Sequence, residues 1–109
     1  MKKSQTYFAL LAIAAVAITV RAADTQEIWD KSCAKCHGAD GKGDTKMGKK
    51  MEVKDMTDAK YQESFNDDKA FKSIKEGIKD GDKTKMKAAE NLSDSDIKAL
   101  VTHVRSLKK

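Results

Sequence analysis

The strongest periodic pattern of apolar residues lies near the C-terminal end of the chain. Apolar side chains recur there at the spacing of one helical face: Ile97, Leu100, Val101, Val104 and Leu107. Ser93, with Asp96 three residues later, resembles a capping box and predicts where this helix starts. The opposite face is polar and carries Lys98, Thr102, Arg105 and Lys109. The pattern therefore predicts an amphipathic last helix.

Three shorter helices are predicted upstream. Thr25 is placed to cap a helix over residues 26–31, and two further helices are predicted over 58–65 and 67–76. Gly77 closes the last of these. A Lys- and Met-containing stretch up to residue 56 shows no strand-like alternation, and residues 79–85 are predicted to form a polar loop. The chain is thus expected to be all-α, with no internal domain boundary.

The N-terminal segment has the pattern of a secretory signal peptide. Lys2 and Lys3 precede an apolar run over residues 8–20, and small residues follow at Ala22 and Ala23. A retained membrane anchor is the alternative, but this run is well short of the roughly 20 residues that span a bilayer. We expect residues 1–23 to be removed by cleavage after Ala22 or Ala23. The mature domain, residues 24–109, is then exported to the periplasm, with no stable membrane insertion.

Residues 24–109 differ in composition and charge from the full chain. The chain carries 22 basic and 17 acidic residues, a net charge of +5, but three of the basic residues lie in the leader. The nearly balanced remainder has few aromatic residues and gives little support for nucleic-acid binding. Leu, Ile, Val and Phe make up about 14% of residues 24–109, below the roughly 20% expected of a self-sufficient core. A chain of 109 residues with so few core formers needs a disulfide, a metal or a cofactor.

Cys33, Cys36 and His37 form a CxxCH motif in a chain that bears an export signal. Two thiols on one helical turn can add to the two vinyl groups of a haem, and the next residue then offers an imidazole to the iron. A thioredoxin-like dithiol would require a βαβ context. A zinc site would need a fourth ligand, and His103 is the other histidine of the chain. A plain Cys33–Cys36 disulfide would leave the weak core unexplained, so covalent haem c is predicted.

The mature chain resembles the small class I c-type cytochromes over nearly all of residues 24–109. Four features carry the resemblance: Trp29 four residues before the first cysteine, CxxCH followed by a Gly-rich turn to Gly43, Ile74-x-x-Gly77, and Met86 followed by Leu92-Ser93-Asp94. The resemblance implies an all-α class I cytochrome c fold in which short helices wrap one covalent haem. It also implies that the first and last helices touch. Ile28 and Trp29 are then expected to meet Leu100, Val101 and Val104.

The same resemblance implies the other site residues. Met86 is expected in the loop between the helix that ends at Gly77 and the last helix, where the family has its distal iron ligand, although Lys87 follows it where the family usually has Pro. The alternative candidates are Met47, Met51 and Met56, whose other role is core filling around the haem. Tyr61 matches a position where an aromatic ring donates to a haem propionate; its alternative is a half-buried tyrosine with no such contact. His103 is expected to pack rather than ligate.

The family often has a Pro near the residue whose carbonyl accepts the N–H of the axial histidine. This chain contains no Pro, so the resemblance implies that some backbone carbonyl between residues 44 and 50 accepts the N–H of His37. His37 and Met86 together would saturate the iron, which predicts an electron carrier rather than an enzyme. No extra apolar helix face demands a dimer, so a monomer is expected. Its partners would be a donor and an acceptor redox protein. Six lysines flank the expected haem edge as a weakly basic docking face, or merely solvate the surface: Lys46, Lys49, Lys50, Lys83, Lys85 and Lys87.

Two other functions remain open at this point. A labile sixth position would give a haem protein that binds small ligands or has peroxidatic activity. A haem with a purely structural role would give an accessory protein. Carbon monoxide binding distinguishes the first of these from an electron carrier.

Overall fold

A computed structural model describes residues 22–109. The predicted signal peptide lies outside these residues except for its last two positions, so the leader and its cleavage site stay predictions. Within the described range, every helix is too short or too polar to cross a membrane.

The described residues form six helices and one two-stranded antiparallel hairpin. In chain order these elements are α1 (Ala22–Ser32), α2 (Ala34–His37), α3 (Lys46–Met51), α4 (Ala59–Glu63), α5 (Asp67–Glu76), β1 (Ile78–Asp80), β2 (Lys83–Met86) and α6 (Asp94–Ser106). Helices contribute all of the buried apolar side chains in this range, and the hairpin is mostly exposed. The predicted all-α fold class is therefore confirmed.

Contact between the first and last helices builds the core. Trp29 of α1 is 2% exposed and packs with Leu100 and Val104 of α6, with Ile28 half-buried against the same cluster. The predicted capping box is present, because the Ser93 hydroxyl accepts the Asp96 N–H and the Asp96 carboxylate accepts the Ser93 N–H. The predicted meeting of the terminal helices is thus confirmed.

Val101 departs from that prediction. This side chain is buried, but it lines a groove between α5 and α6 together with Phe71. Val101 therefore lies beside α5, outside the cluster that Trp29 forms with Leu100 and Val104.

A polar network joins α4 to α6. The Gln62 side chain, 3% exposed, donates through Nε2 to the Val104 carbonyl oxygen at 2.8 Å. Arg105 donates to Gln62 Oε1 at 2.9 Å, to the Phe65 carbonyl at 2.8 Å and to Asp67 Oδ1 at 2.7 Å. Buried polar groups are costly unless they are hydrogen-bonded, and Gln62 is satisfied here. The polar face of α6 is therefore a second packing surface at Arg105.

Two local predictions were wrong, for Thr25 and for residues 79–85, and one helix was not predicted. Thr25 is buried in the interior of α1 instead of capping it, since the helix already includes Ala22. Residues 46–51 form α3, whose N-terminus is capped by the Thr45 side chain accepting the Gly48 N–H. Residues 78–86 form the hairpin instead of a loop, with Ile78 paired to Met86 and Asp80 to Lys83. Such short polar strands are defined by their pairing, which leaves no alternation in the sequence.

Candidate functional site

The CxxCH residues occupy a single turn. Cys33 follows α1 directly, and its carbonyl oxygen accepts N–H bonds from Cys36 at 3.3 Å and His37 at 3.0 Å. Both cysteines are half-buried free thiols. The structure therefore brings two thiols and one imidazole together on one helical turn, as the motif predicted.

Burial shifts the pKa values of Cys33 and His37. It raises the pKa of the Cys33 thiol to about 11, with a smaller contribution from the nearby Cys36. A reactive dithiol needs a lowered thiol pKa, so this environment is unlike that of a thioredoxin-type site. Burial also lowers the pKa of His37, which favours the neutral imidazole, the form that binds a metal.

Helix α3 packs directly on the CxxCH turn, a feature that the sequence analysis missed. The Thr45 hydroxyl lies 2.8 Å from the Lys35 carbonyl oxygen and 3.0 Å from that of Cys36. A Cβ atom at Gly48 would collide with the Cys36 carbonyl. Thr45 and Gly48 thus hold the backbone of the motif from one side. The N-cap pattern of Thr45 is the one local signal that could have revealed this helix.

The Trp29 ring packs near the imidazole of His37. The two ring centroids are 5.8 Å apart, and the indole N–H donates to the Gly38 carbonyl oxygen at 3.0 Å. His37 Nδ1 is buried and has no hydrogen-bond partner among the described residues. The predicted bond from His37 to a carbonyl of residues 44–50 is therefore absent. Several of those carbonyls accept helical or helix-end N–H groups instead, including Thr45, Gly48 and Lys49.

Met86 is the last residue of β2, so the prediction that it lies in a loop was wrong. It is half-buried, it pairs with Ile78, and it lies between α5 and α6 along the chain. The other three methionines, Met47, Met51 and Met56, are also half-buried, and Met56 packs against the Trp29 cluster. Met56 thus fills the core, which was the alternative role considered for these side chains.

Tyr61 lies on α4 and is half-buried, with its ring centroid 5.3 Å from that of Phe65. Burial raises the pKa of its phenol, which keeps the hydroxyl protonated and able to donate. The propionate contact expected for Tyr61 stays a prediction.

The residues of this turn fit a covalently attached cofactor that brings its own iron. Two unpaired thiols and a buried, partnerless imidazole nitrogen share the turn. Among residues 22–109, no group of three or more His, Cys, Asp or Glu side chains is placed to hold a bare metal ion. The donor set therefore suits thioether attachment and one axial nitrogen ligand.

His103 packs against Trp29, with ring centroids 4.9 Å apart, and its Nε2 is buried without a hydrogen-bond partner in the described part of the chain. Burial lowers the pKa of His103 below its usual 6.5, partly offset by the nearby Asp30 carboxylate. Well above pH 6.5 both folded and unfolded chains keep this imidazole neutral. As the pH falls below 6.5, the unfolded chain takes up the proton first, so stability falls.

We therefore expect the His103→Phe variant to lose part of the acid sensitivity of the parent. The measurement is the free energy of unfolding in denaturant for both proteins between about pH 5 and pH 7, the range in which His side chains titrate. The difference, parent minus variant, should rise with pH across this window. A difference that is flat with pH would contradict the assignment.

Comparison with known proteins agrees with the site. The sequence model of the cytochrome c family matches residues 22–108. A solved structure, that of KustC0563 c-type cytochrome, is 30% identical, covers 78% of this chain and 98% of its own, and superimposes with a TM-score of 0.67. No curated protein sequence matches the chain significantly. The chain therefore belongs to the cytochrome c family, whose members carry covalently bound haem c and transfer electrons.

Proposed function

We propose that this protein carries single electrons between partner redox proteins through a His/Met-ligated haem c. Cys33 and Cys36 would form the two thioether bonds, and His37 and Met86 would be the axial ligands. When bound, the haem supplies an iron that alternates between Fe(II) and Fe(III). The observation that carries the proposal is the single turn that presents both thiols and the imidazole.

The protein's own residues keep His37 in place. Trp29 packs against the imidazole ring and ties the following turn through the Gly38 carbonyl. Thr45 and Gly48 fix the backbone of the motif at the Lys35 and Cys36 carbonyls. A ligand held by such contacts moves little when the charge of the site changes, and small reorganisation favours electron transfer over chemistry.

Met86 would exclude other molecules from the sixth position. A thioether ligand favours the ferrous state and raises the reduction potential. With both axial positions filled by side chains, no position is left for a substrate, so electron transfer is the proposed activity. Tyr61, with its protonated phenol, would donate to a haem propionate.

We propose that exposed lysines of the hairpin and α3 form a weakly basic face for the redox partners. Lys46, Lys50, Lys83 and Lys87 are exposed, whereas Lys49 is paired with Asp44 at 3.2 Å. We propose that residues 24–109 act as a monomer in the periplasm after removal of the leader. An acidic partner surface would complement this face.

The proposal is tested by ligand binding to the haem-loaded protein. We expect the parent to show a low-spin spectrum with the sulfur-to-iron band and to resist carbon monoxide. Met86→Ala should lose the band and bind carbon monoxide, since the sixth position is then open. Met51→Ala, which removes another half-buried methionine, is the matched control and should behave like the parent. A parent that binds carbon monoxide readily would instead indicate a labile sixth position and a ligand-binding or peroxidatic function.

A further inference from the structure

The chain around Met86 is held by backbone contacts instead of apolar packing. Lys87 and Ala88 are exposed, as is most of the hairpin. The chain contains no Pro that could stiffen this segment. A ligand on such a surface segment needs another source of rigidity, because loop segments with few buried contacts open readily.

Gly77 and the end of α5 supply that rigidity. A Cβ atom at Gly77 would lie 2.6 Å from the Met86 carbonyl oxygen and 2.7 Å from the Ala88 nitrogen, so the chain after Met86 crosses directly over the Gly77 backbone. Gly77 also has a φ of 78° and a ψ of −178°, a conformation that side chains strongly disfavour. Only glycine permits both the crossing and this turn.

Two further bonds fasten the same segment. The Ala89 N–H donates to the Ile74 carbonyl oxygen of α5 at 2.8 Å. Met86 itself pairs with Ile78 across the hairpin, beside an irregularity in the register between Ile78 and Lys79. Residues 86–89 are therefore held at one end by Ile78 of β1 and at the other end by Ile74 of α5, and α5 in turn packs on α6.

We propose that the Gly77 clamp, formed by Gly77, the Ile74–Ala89 hydrogen bond and the Ile78–Met86 pair, positions Met86 as the sixth iron ligand. Gly77 and Ala89 are positioning residues, since they act through the Met86 backbone. This inference rests on the proposed function, because it presumes that Met86 ligates the iron.

The test compares two glycine variants of the haem-loaded protein. Gly77→Ala introduces a side chain into the crossing. Gly81→Ala is the matched control, because Gly81 has a φ of 60° in the same hairpin but no atom lies within 4 Å of its added Cβ. The readouts are the intensity of the sulfur-to-iron band, the carbon monoxide affinity of the ferrous protein and the unfolding midpoint in denaturant.

We expect Gly77→Ala to weaken the band and to raise carbon monoxide affinity by about tenfold or more, while Gly81→Ala keeps the parent's spectrum and affinity. A role limited to stability would lower both unfolding midpoints and leave the spectrum and affinity unchanged in both variants. That result would overturn the clamp. A parent that lacks the band and binds carbon monoxide would overturn the proposed function itself, so the two failures are distinct.

Hydrogen exchange gives a second measurement that requires no substitution. In the haem-loaded parent, the Ala89 amide should be protected to the same degree as the amides of α5, since its acceptor is the Ile74 carbonyl. Exchange at the rate of an exposed loop amide would overturn the clamp even if Gly77→Ala failed to fold.

Discussion

Replacing both Cys33 and Cys36 with alanine is expected to leave a chain that neither retains haem c nor folds cooperatively. The described residues bury five hydrophobic side chains, all from α1 and α6: Trp29, Ile97, Leu100, Val101 and Val104. A domain of this size is marginal without a metal, a cofactor or a disulfide. Loss of the attached haem should therefore remove at least about 5 kcal/mol, the whole stability of a typical small domain.

Variants that replace only one cysteine test whether stability follows the amount of attached haem. Cys33→Ala and Cys36→Ala each retain one thioether position, so each should keep some covalently attached haem and an intermediate stability. Mass spectrometry of the denatured protein counts attached haem, and circular dichroism during urea unfolding measures the fold. A double variant that unfolds cooperatively at the parent's urea midpoint would show that the helices alone carry the stability. The attached haem would then not be what stabilises this small core.

The features that could be predicted from the sequence are those with local signals. Helix α6 is marked by its own capping box and by an apolar face that recurs over three turns. The CxxCH turn is marked by spacing alone, because its two thiols and imidazole lie within five consecutive residues. In both cases the residues that define the feature lie close together in the sequence, so the feature can be recognised without knowing any tertiary contact.

The features that were missed depend on distant partners. Helix α3 has six residues and gains its position from Gly48 packing on the Cys36 carbonyl and from Thr45, whose hydroxyl bonds the backbone carbonyls ten and nine residues upstream. The hairpin has no apolar alternation, since its order comes from pairing and from the crossing at Gly77. In the sequence, Arg105 is one of several polar residues of α6. Its packing role is visible only in the folded chain, where it donates to Gln62 Oε1 and to the Phe65 carbonyl oxygen. Such tertiary contacts override weak local propensity.

Trp29 links the stability of the fold to the site more directly than any other core residue. Its ring lies against Leu100 and Val104 in the core, against His37 at 5.8 Å and against His103 at 4.9 Å. We expect Trp29→Ala to cost about 3–5 kcal/mol, the usual range for truncating a buried aromatic residue. Because the imidazole loses its packing partner, the axial ligation of His37 should also loosen.

Trp29→Phe separates the two contributions of the indole. Phenylalanine keeps most of the apolar contact but cannot donate to the Gly38 carbonyl, which accepts the indole N–H at 3.0 Å. The Gly38 carbonyl then keeps only the Gly41 N–H as a donor, at 3.2 Å, and the loss of the indole hydrogen bond should cost about 0.5–1.5 kcal/mol. Urea unfolding of the haem-loaded proteins should therefore rank the parent above Trp29→Phe, and Trp29→Phe above Trp29→Ala.

A control outside this cluster completes the comparison. Phe71→Ala truncates a half-buried aromatic residue in the groove between α5 and α6. Because Phe71 is less buried than Trp29, this variant should lose less free energy of unfolding than Trp29→Ala. The ferric spectrum supplies a second readout, since only the Trp29 variants should alter the low-spin signature of His37. If Phe71→Ala lost as much free energy of unfolding as Trp29→Ala, and the two variants had the same ferric spectrum, Trp29 would be an ordinary core residue. The link between the helix contact and the axial histidine would then be absent.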